Sequence, residues 1–208
     1  MEMTLSTGAI LTRKSRSAEA DGEIREEILV EQAAQGDELA YGKLVRRYQT
    51  RLFNFVRSMV RNEELAEDIT QESFVKAYYS LKKLQNPGSF KSWLFRIANN
   101  NTLDWLRKKR LQVVDVDEQL RESYIDKRIS PEDSTVKEAR AAHIYEALDK
   151  LKEDQRAILV MCDLQGLSYQ EIAEALNIPF GTVQSRIFYA RRKLREHLDV
   201  SIIFGGES

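Results

Sequence analysis

The sequence predicts an all-α protein: two small helical domains joined by a flexible acidic linker, with a helix-turn-helix in the second domain. Proline and glycine are absent from residues 43–86 and 89–130, and such long stretches without a breaker favour helices over strands. Apolar residues in these stretches recur every three or four positions, which indicates helices with one buried face. Between residues 112 and 135 this periodicity is lost, which separates the two domains.

Composition limits the class of protein. The chain has 208 residues, 42% hydrophobic and 31% charged, with 32 basic against 33 acidic side chains. This balance excludes a uniformly basic nucleic-acid coat but allows charge to be segregated along the chain. The single cysteine, Cys162, excludes a disulfide scaffold or a multi-cysteine metal site. Because no signal-peptide core or bilayer-length apolar run is found, we expect a cytoplasmic protein without membrane insertion.

The first helical domain is predicted at residues 23–111, after a segment (1–22) whose composition predicts disorder. Residues 62–72 of this domain contain five acids and no base. An acidic helix face of this kind either docks a basic partner helix or only faces water. Apolar residues recur at helical spacing in and beyond this segment, which predicts that it belongs to a helix. These residues are Leu65, Ile69, Ala77 and Leu81.

The predicted helix that follows Phe90 combines residue types suited to nucleic acid. It contains Trp93, the amides of residues 99–101 and a basic run at 107–110. Aromatic rings stack on bases, amides pair with base edges, and arginine or lysine follows a phosphate backbone. The alternative is that the aromatic rings are core residues and the bases only suit a helix C terminus.

The second domain is predicted at residues 136–199, between the linker (112–135) and a short tail (200–208). Seven acids against three bases make the linker acidic. Ser168 and Glu171 are spaced for a capping box that starts one helix, and Pro179 ends it. A second helix beginning near Gly181 would direct Val183, Ile187, Ala190 and Leu194 inward, which completes a helix-turn-helix.

The second helix of this motif is strongly basic. Residues 181–197 carry five bases and one acid, in a chain that is almost neutral overall. A basic stripe on a helix-turn-helix is suited to DNA phosphates. The alternative is a solvated basic helix in an ordinary bundle.

Four segments in this order resemble the extracytoplasmic-function sigma factors, the small promoter-specificity subunits of bacterial RNA polymerase (sigma-70 family, group 4). They are residues 66–74, 92–100, 166–173 and 181–186. The resemblance covers residues 26–198. It implies a non-enzymatic initiation factor that directs polymerase to promoters and assists DNA melting, in a stress or envelope response.

The resemblance implies that the first domain binds core RNA polymerase and the promoter element near minus ten. The polymerase contacts would be the largest-subunit clamp helices, with the flap as a further contact. The docking residues implied are Asp68, Ile69, Gln71, Glu72 and Phe74. A flipped base would bind at the loop 84–90, and the residues implied for this element are Gln85, Asn86, Ser89, Phe90, Trp93, Asn100, Arg107, Lys108 and Arg110.

The resemblance also implies that the helix-turn-helix, residues 168–194, reads the element near minus thirty-five. The residues implied are Ser168, Thr182, Gln184, Ser185, Arg186, Phe188, Arg191 and Arg192. Gln184 replaces a basic residue that is usual in the family, and glutamine favours adenine in simple readout. The linker would either thread a basic channel before RNA fills it or act as a charged spacer. An anti-sigma factor is a further implied partner.

Two other classes of function compete with this one. A free-standing helix-turn-helix regulator would explain the second domain but leaves the acidic segment and the Trp93–Arg110 helix without a role. An enzyme is not supported, because the sequence contains no glycine-rich phosphate loop, nucleophile elbow or paired histidines. Cys162 lies in an apolar run and is interpreted as a packed thiol. We therefore expect no catalytic residue, no metal site and no cofactor.

Overall fold

A computed structural model describes the backbone of residues 25–114 and 136–198, and the side chains of 25–111 and 143–198. Within these ranges every regular element is helical and no strand occurs, so the all-α prediction is confirmed. The predicted disordered segment 1–22, the linker from residue 115 onward and the tail 200–208 lie outside the described residues. No helix in the described ranges is both long enough and apolar enough to cross a membrane.

Four helices form the N-terminal group. They are α1 (Glu26–Ala34), α2 (Glu38–Val60), α3 (Glu63–Ser80) and α4 (Phe90–Val114). Asp37 caps α2 by accepting hydrogen bonds from the amides of Leu39 and Ala40 at 2.9 and 3.0 Å. Arg61 adopts a left-handed conformation with φ of 56° and ends α2. The chain reverses there within two residues, so α2 and α3 lie side by side.

Aromatic packing fixes α4 against α2. The rings of Phe55 and Phe95 meet edge to face at 5.5 Å between centroids, and both side chains are fully buried. Phe90 is also fully buried and packs against Tyr48 in the same manner at 5.6 Å. Burying each such ring contributes roughly 2–3 kcal/mol relative to leaving it in water. The first turns of α4 are therefore held rigidly against the domain core.

Helix α4 continues to Val114, three residues beyond the predicted end of the first domain. The sequence of these residues, Gln112-Val113-Val114, contains no glycine or proline that would stop a helix. Loss of amphipathic periodicity ends the buried face of a helix but not its backbone hydrogen bonds. Helix α4 therefore runs past the predicted domain boundary at residue 111, and the boundary itself stays a prediction.

Four helices form the C-terminal group. They are α5 (Val136–Asp149), α6 (Glu153–Leu159), α7 (Tyr169–Leu176) and α8 (Phe180–His197). A five-residue π-helix (Val160–Leu164), called the π-turn below, continues α6. The capping box at α7 is present, because the Glu171 amide donates to Ser168 Oγ at 3.2 Å and the Ser168 amide donates to Glu171 Oε2 at 2.7 Å. The predicted turn is also present, and Asn177 supplies its left-handed residue with φ of 52°.

The inner face of α8 is the one predicted. Val183, Ile187 and Ala190 are buried and Leu194 is half-buried. Ile172 and Ala173 of α7 are buried opposite, and the small alanine allows the two helices to approach closely. This packing places the remaining, polar face of α8 at the surface.

Candidate nucleic-acid interface

Two pockets that share Phe74 lie at the surface between α2 and α3, beside the acidic segment, and together they are called the trough. It has two lobes of about 330 and 370 Å³ that share Phe74 as a lining residue. The first lobe is lined by Val45, Gln49, Thr50, Phe53, Glu67, Thr70, Gln71 and Phe74, and the second by Glu38, Tyr41, Phe74, Val75, Tyr78 and Tyr79. An apolar floor with acidic residues at its rim fits an amphipathic basic helix.

The five predicted docking residues divide between the surface of α3 and the core, and of the exposed ones only Gln71 lines the trough. Asp68, Gln71 and Glu72 are exposed on α3. Ile69 is buried, so it supports the helix from the core and does not offer the contact predicted for it. Phe74 is also largely buried, yet it forms part of the trough floor. The exposed acidic and amide side chains of α3 thus lie beside an aromatic floor, and the docking of polymerase on them stays a prediction.

The loop between α3 and α4 is shaped by Asn86. Its Oδ1 accepts from the Gly88 amide at 3.0 Å, and its Nδ2 donates to Ser89 Oγ at 3.2 Å. Gln85 and Asn86 are exposed and Ser89 is half-buried. Asn86 therefore uses much of its hydrogen-bonding capacity to hold the loop.

Two aromatic residues near this loop differ in accessibility. Phe90 was predicted to face DNA, but it is fully buried between Tyr48 and Trp93, so its role is to anchor the loop to the core. Trp93 is half-buried and tilted against Phe90 with 6.0 Å between ring centroids. Part of the Trp93 indole thus remains available for stacking.

The amides of α4 separate into buried and exposed groups. Asn100 is exposed, as its predicted contact requires. Asn101 is buried, where its Nδ2 donates to Ser73 Oγ at 2.9 Å and its Oδ1 accepts from Lys76 Nζ at 2.6 Å. The first of these hydrogen bonds ties α4 to α3 inside the domain, so only Asn100 of this pair is placed to meet DNA.

The basic end of α4 lies at the surface. Arg107 and Lys108 are exposed, and Arg107 makes a solvent-exposed ion pair with Asp104 at 3.2 Å. A pair of this kind contributes little and opens readily. Arg110 contacts Glu153 of α6, and its side chain is also mostly exposed. All three cations can therefore be redirected to phosphates.

The outward face of α8 carries the polar side chains expected of a recognition helix. Gln184, Ser185, Arg186 and Phe188 are exposed, and the Phe188 ring is 63% accessible. Gln184 and Phe188 are one turn apart, so they share a face. Arg192 lies over the Tyr189 ring with its guanidinium carbon 5.2 Å from the centroid. Exposed aromatic rings on a soluble helix cost solvation energy and are typical of a binding surface.

Arg191 has a different environment from its neighbours. Its Nε and Nη2 lie 3.2 and 2.5 Å from the two carboxylate oxygens of Asp163, in the π-turn. The hydrogen bond to Asp163 is the main factor that raises the pKa of Arg191. This bidentate pair attaches α8 to the π-turn, but the Arg191 side chain is still 47% exposed, so its DNA contact stays a prediction. Its geometry is that of a residue that positions the helix.

Ser168 and Thr182 lie at the starts of the two helices of the motif. Ser168 is exposed, and the capping box engages both its hydroxyl and its amide. Thr182 is half-buried in the first turn of α8. Of these two residues, Thr182 is therefore the better placed to donate to a phosphate.

Both units match known sequence families. Residues 44–112 match sigma-70 region 2, and residues 142–194 match sigma-70 region 4. The trough and loop lie within the first match, and the helix-turn-helix lies within the second. The chain belongs to the sigma-70 family of RNA polymerase sigma factors. A free-standing regulator is not favoured, since such a protein would leave the region 2 match unexplained.

Curated relatives are described as ECF sigma factors, and the chain belongs with them to the extracytoplasmic-function group of the family. The chain is 37% identical over 174 residues to the ECF RNA polymerase sigma factor SigE of Mycolicibacterium smegmatis, covering 79% of this chain and 65% of that relative. It is 35% identical over 179 residues to the ECF RNA polymerase sigma-E factor of Escherichia coli K12, covering 83% and 93%. The chain thus spans about two thirds of the first relative and nearly all of the second.

Two solved structures share the fold. CnrH, in complex with the cytosolic domain of CnrY, superposes with a TM-score of 0.63 at 28% identity over 82% of this chain and 95% of that chain. The sigma factor RpoE of Bartonella quintana, in complex with the anti-sigma factor NepR, superposes with a TM-score of 0.62 at 24% identity over 77% and 97%. These comparisons support two helical domains arranged as regions 2 and 4 of the family.

The structure identifies side chains that sequence reasoning missed in this sigma factor. Tyr189 is half-exposed beside Phe188, with a ring-centroid distance of 5.5 Å, and forms part of the exposed aromatic surface of region 4. Lys91 and Ser92 directly follow the loop of region 2 and contact α7. Their place between the loop and Trp93 is the sequence signal that could have identified them.

Proposed function

We propose that this chain is a promoter-specificity subunit that binds core RNA polymerase, recruits it to promoters and assists strand opening, without catalysing a reaction itself. The observation that supports the proposal is that one chain combines two surfaces. Region 2 has an apolar trough with acidic side chains beside it, and region 4 has a basic recognition face on α8. A basic amphipathic helix of the polymerase would fill the trough. In this proposal residues 23–111 form the docking and minus-ten domain, and residues 136–199 form the minus-thirty-five domain.

The proposed promoter contacts use the accessible side chains described above. Gln85, Asn86, Trp93 and Asn100 would surround an unstacked base at the loop, and the basic end of α4 would follow the phosphates. Region 4 would place α8 in the major groove, where Gln184 and Phe188 meet base edges. Arginine and lysine contacts to phosphates would supply affinity that falls steeply with salt.

An anti-sigma factor is the proposed regulator, and the trough of region 2 is one surface that it would cover. The solved relative CnrH is bound to the cytosolic domain of CnrY, which supports a protein partner for this fold. A partner that fills the trough would compete directly with core polymerase. We place the protein in the cytoplasm, where polymerase and promoters are found.

A non-enzymatic role agrees with the chemistry of the single thiol. Burial, followed by the neighbouring Asp163 carboxylate, raises the pKa of Cys162 to about 11. A thiol with that pKa stays protonated at neutral pH, and the protonated form is a poor nucleophile. Cys162 is therefore a packing residue in this proposal.

Co-elution of the full chain with bacterial core RNA polymerase on a sizing column tests the proposal. Wild-type protein should co-elute, and the charge reversal Asp68→Lys/Glu72→Lys should abolish or strongly reduce binding. The matched control Glu27→Lys/Glu31→Lys changes two exposed acids on α1, away from the trough, and should bind normally. Absence of co-elution by the wild type would refute the proposed function, and normal binding by Asp68→Lys/Glu72→Lys would refute a docking role for the exposed acids of α3.

A further inference from the structure

Helix α1 packs against the loop that is proposed to hold the unstacked promoter base. This loop, residues 84–90, is called the minus-ten loop below. Helix α1 contacts the 3-10 turn inside the loop, Pro87–Ser89, and the 3-10 turn that precedes it, Leu81–Lys83. The inward side chains of α1 are at most 5% exposed, and they are Leu29, Val30 and Ala33. The loop therefore rests on α1 as well as on α4.

A carboxylate in the first turn of α1 attaches this helix to α2. Glu26 Oε2 accepts a hydrogen bond from the Tyr48 hydroxyl at 2.5 Å, and Arg47 Nη1 lies 3.5 Å from the same oxygen. Tyr48 is 4% exposed. Burial and the hydrogen bond to Glu26 raise the pKa of Tyr48 well above its ordinary value, so its hydroxyl remains a donor. Hydrogen bonds to a charged acceptor of this kind are among the stronger ones in proteins.

The Tyr48 ring continues this contact to the minus-ten loop. Its edge meets the Phe90 ring at 5.6 Å between centroids, and Phe90 is both the last residue of the loop and the first of α4. Phe90 packs in turn on Trp93 at 6.0 Å. Because paired aromatic rings prefer defined relative orientations, the tilt of each ring restricts the next. A continuous series of contacts thus leads from Glu26 to the ring that is proposed to stack on the promoter base.

The minus-ten loop has few other attachments that set its orientation. The hydrogen bonds of Asn86 go to Gly88 and Ser89, so they shape the loop from within. Gln85, Asn86 and Gly88 are exposed. A binding site held in its productive geometry before the ligand arrives avoids the cost of ordering it on binding. The buried Phe90 ring and helix α1 are therefore the features that can hold this site ready.

We propose that Glu26 and Tyr48 are positioning residues for capture of the minus-ten base, a role that rests on the proposed function. Tyr48 is buried, and neither side chain touches DNA in this proposal. Their hydrogen bond fixes the Tyr48 ring, which fixes Phe90 and thereby the orientation of Trp93 and of the loop. Glu26 lies before residue 44, where the match to sigma-70 region 2 begins. Helix α1 thus extends the promoter-reading apparatus beyond the matched segment.

Acrylamide quenching of Trp93 fluorescence tests the positioning without polymerase or DNA. The sequence has two tryptophans, so the background variant Trp105→Phe leaves Trp93 as the reporter. Glu26→Ala in this background should raise the quenching constant, because the ring becomes more mobile. The control Glu27→Ala removes the neighbouring, exposed acid from the same first turn. It weakens the favourable interaction with the helix dipole equally and should leave the constant unchanged.

Two conservative variants separate positioning from a general loss of folding. Glu26→Gln keeps an acceptor for the Tyr48 hydroxyl and should restore most of the wild-type quenching. Tyr48→Phe keeps the ring that packs on Phe90 but removes the donor, so it should resemble Glu26→Ala while the domain stays folded by circular dichroism. Equal quenching constants in Glu26→Ala and Glu27→Ala would overturn the proposal.

Fluorescence anisotropy with the holoenzyme tests the effect on base capture. The probes are a fluorescein-labelled single-stranded oligonucleotide, carrying a minus-ten element selected by the wild-type holoenzyme from a random library, and the same strand made abasic at each position in turn. The wild type should prefer the intact strand, and Glu26→Ala should reduce this preference by up to about tenfold, the loss that corresponds to one hydrogen bond to a charged group. Binding to core polymerase should not change.

The ratio of the two affinities distinguishes positioning from simple destabilisation. A merely weakened domain would lose affinity for the intact and the abasic strands alike, which leaves the ratio at its wild-type value and would overturn the proposal. Glu27→Ala should keep the wild-type ratio. Failure of the proposed function would be seen separately, as absence of polymerase binding by the wild type while the Trp93 quenching difference persists.

Discussion

Replacing Arg156 with methionine should destabilise region 4 and loosen its attachment to region 2. The guanidinium donates to the main-chain oxygens of Leu148, Met59 and Asp149 at 3.1, 3.0 and 3.0 Å. It also pairs with the Asp149 carboxylate at 2.9 Å, and the Arg156 side chain is only 11% exposed. Methionine preserves much of the apolar stem but supplies no donor, so the partly buried carbonyl oxygens of Leu148 and Met59 lose this partner.

The magnitude follows from what remains after the substitution. Removing one member of a buried ion pair costs about 3–5 kcal/mol, chiefly because the other charge is left without a partner. Here the Asp149 carboxylate retains Arg61 at 2.6 Å, and its side chain is 36% exposed. The loss should therefore lie near the lower end, at about 3 kcal/mol. Burial already raises the pKa of Asp149, against the opposing effects of Arg156 and Arg61, and the substitution should raise it further.

Urea unfolding monitored by two probes would measure this loss. The only two tryptophans, Trp93 and Trp105, both lie in α4, so fluorescence reports on region 2 while far-UV circular dichroism reports on both regions. We expect the wild type to unfold in one transition, with the same urea midpoint by both probes. In Arg156→Met the midpoint seen by circular dichroism should fall below the one seen by fluorescence, so that two transitions separate. The control Arg186→Met alters an exposed arginine and should change stability by no more than about 0.5 kcal/mol. A loss below about 1 kcal/mol in Arg156→Met, with coincident transitions, would refute the reasoning.

Three further predictions concern the DNA-facing surfaces and the interface between the regions. Arg186→Ala should weaken binding to the minus-thirty-five element by about 1–3 kcal/mol if Arg186 contacts a base, and an equal loss on every promoter variant would reassign it to a phosphate contact. Asn86→Ala removes the cap of the minus-ten loop and should slow promoter opening in a permanganate footprint; an unchanged rate would contradict a role for the loop conformation. Partial burial would raise the pKa of Glu171, but the Ser168 amide and Lys91 hold it below its ordinary value. The stabilisation from Glu171 is therefore present above the unfolded pKa near 4.3 and is lost as the pH falls through the lower folded value. Acid titration followed by small-angle X-ray scattering should separate region 4 from region 2 of the wild type in that range, and Glu171→Gln should lack this component.

Local sequence signals predicted much of the fold because their physical causes are local. The capping box of Ser168 and Glu171 requires only three residues of separation, and the turn before Pro179 follows from backbone sterics. The predicted inner face of α8 agrees with the burial of Val183, Ile187 and Ala190. Helix α4 continues three residues past the predicted domain end at residue 111, because the apolar periodicity stops before the backbone hydrogen bonds of the helix do.

Candidate site residues were harder to predict where two elements meet. Phe90 and Ile69 fit the family pattern by position, yet tertiary packing buries both. Arg191 has the same residue type and spacing as Arg192, but only Arg191 faces Asp163 across the motif. No pattern along one helix shows which of two neighbouring arginines has an acid opposite it, because that acid lies 28 residues earlier in the chain.

The sequence by itself determined the helical class, the order of the two regions, the helix-turn-helix and the charge of each surface. These properties depend on periodicity, breakers and caps, which act over a few residues. Only the tertiary structure decided that α2 and α3 enclose a trough, and that α7 places Glu171 and Glu174 against Lys91 and Ser92. Those contacts join residues 80 or more positions apart. Their pairing depends on how the helices pack in space, since the local pattern of a helix does not specify which partner covers it.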